Sequence, residues 1–195
     1  EYAMAQLWLA CGVKPRLVAG HSLGEYAAAV VAGVMTLAEG LRLVVRRAEL
    51  LADMHDGAML SVALGEAELQ VLLAELALPV DVAAVNAADQ CVLAGPRTAI
   101  VKLKEALHAR RQAAVLLPMQ QAYHSRQMQP LLAAYRQSLL DIEWQVPRLN
   151  FVPSIACEHA VHSPDYWLMH LVQPVRYADT ITRLAATEGL LGMLE

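Results

Sequence analysis

A chain of 195 residues holds one domain, or one domain with a smaller one inserted into it. With 57% of its residues hydrophobic and 17% charged it can bury a large core, which excludes disorder. The formal net charge of −4 comes without a basic block, so nucleic acid is excluded as a partner, and no apolar run reaches the roughly 18 uncharged residues that a membrane span needs.

In chain order, residues 2–11 read as an apolar helix stopped by Gly12 and Pro15. Leu17, Val18 and Ala19 form a short buried strand, residues 20–24 a tight turn, and helices follow over 25–32 and 37–54. Strand, glycine turn and helix in that order mark an α/β core. The pattern then changes to a strand (58–64), a helix (66–76), two strands (80–85 and 91–94) joined by a turn at 86–89, a helix from Pro96 to Arg111 and a strand (113–117). The order βαββαβ is that of a split ferredoxin-like unit. Beyond His124 come a helix over 125–140, a strand near 149–152, and helices over 165–171 and 177–188. Cys11, Cys91 and Cys157 form no CxxC pair and read as free thiols of a reducing, cytoplasmic compartment. The chain begins at Glu1 without a methionine and stops at Glu195 directly after an apolar stretch, so both ends read as cut from a longer polypeptide.

Gly20-His21-Ser22-Leu23-Gly24 fits the G-x-S-x-G nucleophile elbow, in which the serine sits on a strained strand-to-helix turn. Glycines two residues either side would let strand and helix approach without Cβ clashes. The helix N-terminus then points at the site, and the Leu23 amide is placed to donate to an oxyanion. A serine nucleophile needs a base, and seven histidines compete for that role. His21 lies within the elbow, and His108 falls on a charged helix as a solvated residue. His159 and His162 have metal-like spacing without an acid or cysteine cluster, so no metal site is read. The pattern favours His124, which follows a strand in the polar turn 120–125.

At these residues the chain resembles the malonyl-CoA:acyl-carrier-protein transacylases, and most closely the acyltransferase domains of modular polyketide synthases. The resemblance rests on Gly20 through Tyr26, the helix 41–47, Gly57-Ala58-Met59, Val85-Asn86, Leu93 through Pro96, Ala122 through Ser125, and Tyr166-Trp167 through Pro174-Val175-Arg176-Tyr177. It implies an α/β-hydrolase-like core (1–57 and 121–195, truncated at both ends) with an inserted ferredoxin-like subdomain (58–120). It also implies a Ser22–His124 dyad whose histidine is oriented by main-chain carbonyls. Arg47 becomes the clamp for a substrate carboxylate, while Arg42 and Arg46 read as solvated.

The family's second oxyanion donor, an upstream glutamine, lies before residue 1. Where stand-alone members carry glutamine this chain has His170, as the modular synthases do; it either lines the carboxylate pocket or packs on its helix. Gln121-Ala122-Tyr123-His124 matches neither common specificity string. Gln121 is unusual, but a bulky Tyr123 and the Leu23 side chain suit malonyl over methylmalonyl.

The expectation is transfer of malonyl from malonyl-CoA through a Ser22 ester to the phosphopantetheine thiol of an acyl carrier protein. It needs no bound cofactor and no membrane, and neighbouring synthase domains include a ketosynthase. The rival readings are a thioesterase or lipase with a triad acid (Asp141, Asp165 or Asp179), a methylmalonyl-specific acyltransferase, and a non-catalytic scaffold piece.

Overall fold

The computed structural model describes residues 1–187, 189 and 192–194. The chain opens with helix α1 (Tyr2–Ala10), strand β1 (Leu17–Ala19), α2 (Gly24–Ala32) and α3 (Leu37–Leu51). Gly33, at φ 80°, ends α2 in the left-handed conformation that glycine adopts without a Cβ penalty. Thr36 then caps α3: its hydroxyl accepts from the Glu39 amide, and the Glu39 carboxylate accepts from the Thr36 amide at 2.7 Å.

Next come β2 (Gly57–Val62), α4 (Glu66–Leu76), β3 (Asp81–Ala87), β4 (Gln90–Pro96), α5 (Arg97–Ala109) and β5 (Ala114–Leu116). These four strands form an antiparallel sheet in the order β3-β4-β2-β5. Side chains alternate across it with period two. Ala58, Leu60, Val62, Cys91 and Leu93 pack under the buried faces of α4 and α5, and Met59, Val92 and Ala94 face the other way, towards Ala122 and Val175.

The chain continues with a 3-10 segment (Arg126–Leu131), α6 (Leu132–Leu139), β6 (Asn150–Val152), α7 (Pro164–Val172) and α8 (Tyr177–Ala185). β6 pairs in parallel with β1, so the segments before and after the four-stranded sheet share one core. Tyr26, Ala29, Leu43, Tyr135, Leu139, Tyr166 and Trp167 meet in it. The single helix expected over 125–140 is instead two pieces. Pro130 has no amide to give the Arg126 carbonyl, so the first turn tightens to 3-10 before α6 begins. The helix expected over 177–188 ends at Ala185; Glu188 lies outside the described residues. Among the described residues no helix is long and apolar enough to cross a membrane.

Candidate active site

Ser22 stands between β1 and α2 at φ 52°, a left-handed backbone rare for a residue with a side chain. Gly20 permits the turn: a Cβ there would lie 2.3 Å from both the Glu25 nitrogen and the Gly24 carbonyl carbon. Gly24 plays no such part, which corrects the expectation of two close approaches; the nearest atom a Cβ there would meet is in the Glu1 carboxylate, at 3.4 Å. The amides of Gly24, Glu25 and Tyr26 donate to the carbonyls of His21, Ser22 and Leu23, whereas the Leu23 amide makes no such bond. The Leu23 side chain is 48% exposed.

His124 sits in a second left-handed turn, at φ 55°. Ser125 braces that turn: its hydroxyl donates to the Ala122 carbonyl at 2.6 Å and accepts from the Gln127 amide. Nε2 of His124 lies 2.6 Å from Oγ of Ser22, and Nδ1 lies 3.0 Å from the Gln173 carbonyl oxygen. A carbonyl can only accept, so Nδ1 carries the proton and Nε2 is free to take one from the serine. The ring is 3% exposed. Burial first, then the charges of His170 and Arg47, hold His124 well below its ordinary value of 6.5, against the pull of the Gln173 carbonyl. A neutral imidazole on a serine hydroxyl is the arrangement that nucleophilic acyl chemistry requires.

Arg47 is 6% exposed, whereas Arg42 is exposed and Arg46 pairs on the surface with Glu49 at 3.0 Å. Among the described residues Arg47 has no carboxylate partner, and its buried Nε makes no hydrogen bond. Its guanidinium lies over the Tyr123 ring, 5.6 Å from the centroid. The Gln121 side chain donates to the Met54 carbonyl at 3.1 Å. His170 is fully buried, its ring edge-on to that of His124 at 5.6 Å.

A cleft of about 570 Å3 opens onto His124, with Gln173 in its wall and the Asp81–Arg126 ion pair at its side. Sequence reasoning missed this pair, and also Glu25, which is buried behind the dyad. Neither has a local signature, because the partners lie far apart in sequence. Among the described residues no three His, Cys, Asp or Glu side chains gather to hold a metal ion.

Fold and geometry together define a mixed α/β protein with a histidine-backed serine on a strained turn. The acyl transferase domain family profile matches residues 1–193. Polyketide synthase GfsB of Streptomyces halstedii is 35% identical over 97% of the chain, and the PKS-NRPS hybrid synthetase acdB of Aspergillus candidus is 34% identical over 95%. The chain spans only 4% and 8% of those two relatives. Among solved structures, it resembles the acyltransferase domain of phenolphthiocerol/phthiocerol synthase A from Mycobacterium bovis (TM-score 0.88, 32% identity, 94% of this chain and 71% of that one). It also resembles the malonyl CoA-acyl carrier protein transacylase of Coxiella burnetii (TM-score 0.88, 29% identity, 94% and 62%). The chain belongs to the acyl transferase domain family.

Proposed function

We propose that the chain moves a malonyl extender group from CoA to the phosphopantetheine thiol of an acyl carrier protein, through an ester on Ser22, as one acyltransferase domain of a polyketide synthase. The observation that carries this is the buried guanidinium of Arg47, which has no carboxylate partner among the described residues and shares its surroundings with the Ser22–His124 pair. A buried cation without a protein anion is costly. A substrate carboxylate supplies the missing charge, and the planar guanidinium matches it with two parallel bonds. The ring of Tyr123 lies under the guanidinium, and its bulk supports malonyl over methylmalonyl.

In the first half-reaction Nε2 of His124 takes the Ser22 proton as Oγ attacks the thioester carbonyl. The Leu23 amide at the head of α2 donates to the oxyanion. The tetrahedral intermediate collapses, and CoA leaves as a thiol with the proton from His124. In the second half the carrier thiol gives its proton to His124 and attacks the ester, and Ser22 regains its proton as the malonyl thioester departs.

Support for a dyad over a triad comes from Nδ1 of His124, which a triad acid would occupy and which the Gln173 carbonyl takes. Asp165 and Asp179 pair instead with Arg136 and Arg176. The strand order β3-β4-β2-β5 across βαββαβ supports reading residues 58–120 as a ferredoxin-like insert in a hydrolase-like core formed by 1–57 and 121–195.

The test is intact-protein mass after brief mixing with malonyl-CoA, methylmalonyl-CoA or acetyl-CoA separately. A malonyl adduct that disappears in Ser22→Ala supports the reading. Labelling by methylmalonyl-CoA in preference would overturn the substrate, and rapid release of free acid without an adduct would overturn the transferase reading in favour of a hydrolase.

A further inference from the structure

Glu25 lies in the first turn of α2, three residues after the nucleophile, and is fully buried. Its Oε1 accepts from the Ser154 amide at 2.7 Å and from the Tyr166 hydroxyl at 2.8 Å. Two donors on one oxygen are the partners that a carboxylate takes. An ion without solvent then needs an opposite charge at hand. The group in that position is His170, itself fully buried, whose Nε2 lies 2.8 Å from Oε2 of Glu25. The contact is close but bent out of hydrogen-bond alignment, and among the described residues neither ring nitrogen of His170 makes a hydrogen bond. On its other side the His170 ring meets that of His124, with centroids 5.6 Å apart and planes at 85°. Tyr26, Tyr166 and Trp167 wedge it there, at 5.5, 6.3 and 5.6 Å.

We propose that Glu25 and His170 form a buried ion pair whose positive end faces His124 and keeps that imidazole neutral, ready to accept the Ser22 proton. Both are positioning residues: they act on the reaction through His124 and do not touch substrate. The inference rests on the reading of Ser22 as the acylated residue.

The remaining charges around His124 define what the pair adds. Arg47 reaches it from α3, with the same sign as His170. His21 approaches from the elbow, its Nε2 engaged 2.8 Å from the Asn86 side-chain oxygen. Asp81 from β3 and Arg126 from the 3-10 segment stand in the cleft and neutralise one another. Tyr26 and Tyr135 join hydroxyls at 2.7 Å in the core behind, from α2 and α6, and stay protonated because burial raises both. A carboxylate seated on Arg47 would cancel one of the two cations. The Glu25–His170 pair is then the resident charge that remains through both half-reactions. A unit charge at this separation, partly offset by its own counter-ion, displaces a neighbouring titration by about one pH unit.

The experiment is the rate of Ser22 acylation by malonyl-CoA across pH in the unsubstituted chain, His170→Gln and Glu25→Gln. Beside it, the His124 imidazole is titrated by NMR with Ser22→Ala as the common background. Removing His170 takes away the proposed positive charge, and removing Glu25 takes away the anion proposed to hold it there. Both variants therefore shift the acidic limb and the His124 titration to higher pH, by about one unit. A His170→Gln protein that still acylates with the limb unmoved, or moved to lower pH, overturns the pair. If neither of those two variants folds, Tyr166→Phe strips one donor from Glu25 and shifts the titration upward by less; no shift overturns the proposal equally. Absence of acylation in the unsubstituted chain at any pH would instead sink the acyl-enzyme reading, and the NMR titration would still decide the pair.

Discussion

Ser22 and His124 face one another from left-handed backbone conformations, at φ 52° and 55°, and each costs about 1–3 kcal/mol that the surrounding turn must offset. At Ser22 the turn exists because Gly20 has no Cβ. Gly20→Ala would drive that atom to 2.3 Å from main-chain atoms that cannot rotate away, and is expected to cost about 3 kcal/mol or more with loss of acylation. Gly24→Ala meets nothing closer than the Glu1 carboxylate at 3.4 Å and is expected to keep both stability and rate. Denaturant melts and adduct formation on the two variants check this asymmetry. The motif contains both glycines, but it does not tell which of them the backbone needs. His124 carries a second expectation. In the proposed mechanism its neutral form is the base, and its titration lies below 6.5 in the folded chain, so acylation should stay level as pH falls to 6.5 and decline only below that. The unfolded chain takes up the proton first, so the same shift makes stability fall as pH drops through 6.5.

At the scale of elements, local signals are legible where they are strong. The strand 17–19, the helix 66–76 and the order of the six central elements follow from glycine punctuation and apolar periodicity. The stretch 125–140 reads as one helix because its apolar spacing outweighs a single proline, and it splits where the missing amide would have bonded. What periodicity cannot register is a polar side chain committed to a distant partner. Glu25 meets Tyr166 across 141 positions, and Glu39 meets the Glu143 amide across 104. Glu39 shows what such a residue is worth. Burial alone would raise its carboxyl, but bonds from Thr36 and the Glu143 amide, aided by Arg42, bring it below the ordinary 4.5. Its contribution is therefore complete above about 4.5 and disappears as pH falls through the lower folded value. Glu39→Gln is expected to cost about 1–2 kcal/mol at neutral pH, and urea melts should show that difference narrowing in acid. Thr36→Ala, which removes the cap hydroxyl, should cost about 1 kcal/mol.

At the scale of the molecule, the segment between α7 and α8 joins the two parts of the fold. The Gln173 carbonyl orients His124. Two residues on, Val175 exchanges main-chain bonds with β3, donating to the Ala83 carbonyl at 2.9 Å and accepting from the Val85 amide at 2.8 Å, so it extends the edge of the four-stranded sheet. Arg176 then reaches α4 and grips both oxygens of Glu66 at 2.7 and 2.8 Å. The base is thus held by a strip of chain whose far side is fastened to the other part of the molecule. Arg176→Ala should release one fastening. The Arg176 and Glu66 side chains are 25% and 28% exposed, so solvent screening leaves this pair, in which Nη1 alone reaches both oxygens, about 1 kcal/mol of stability. The Ala84–Val175 pairing and the buried face of Met59, Val92 and Ala94 remain, so unfolding should stay a single transition. The acylation rate should fall with it, because the Gln173 carbonyl loses part of its support and the His124 ring its fixed direction. Arg110→Ala provides the contrast: its partner Glu75 belongs to the same part of the fold, and both side chains are about half exposed. That variant is expected to change stability by no more than a few tenths of a kcal/mol and to leave the rate as it was. Equal effects on rate in the two variants would mean that the strip does not convey the attachment to the base.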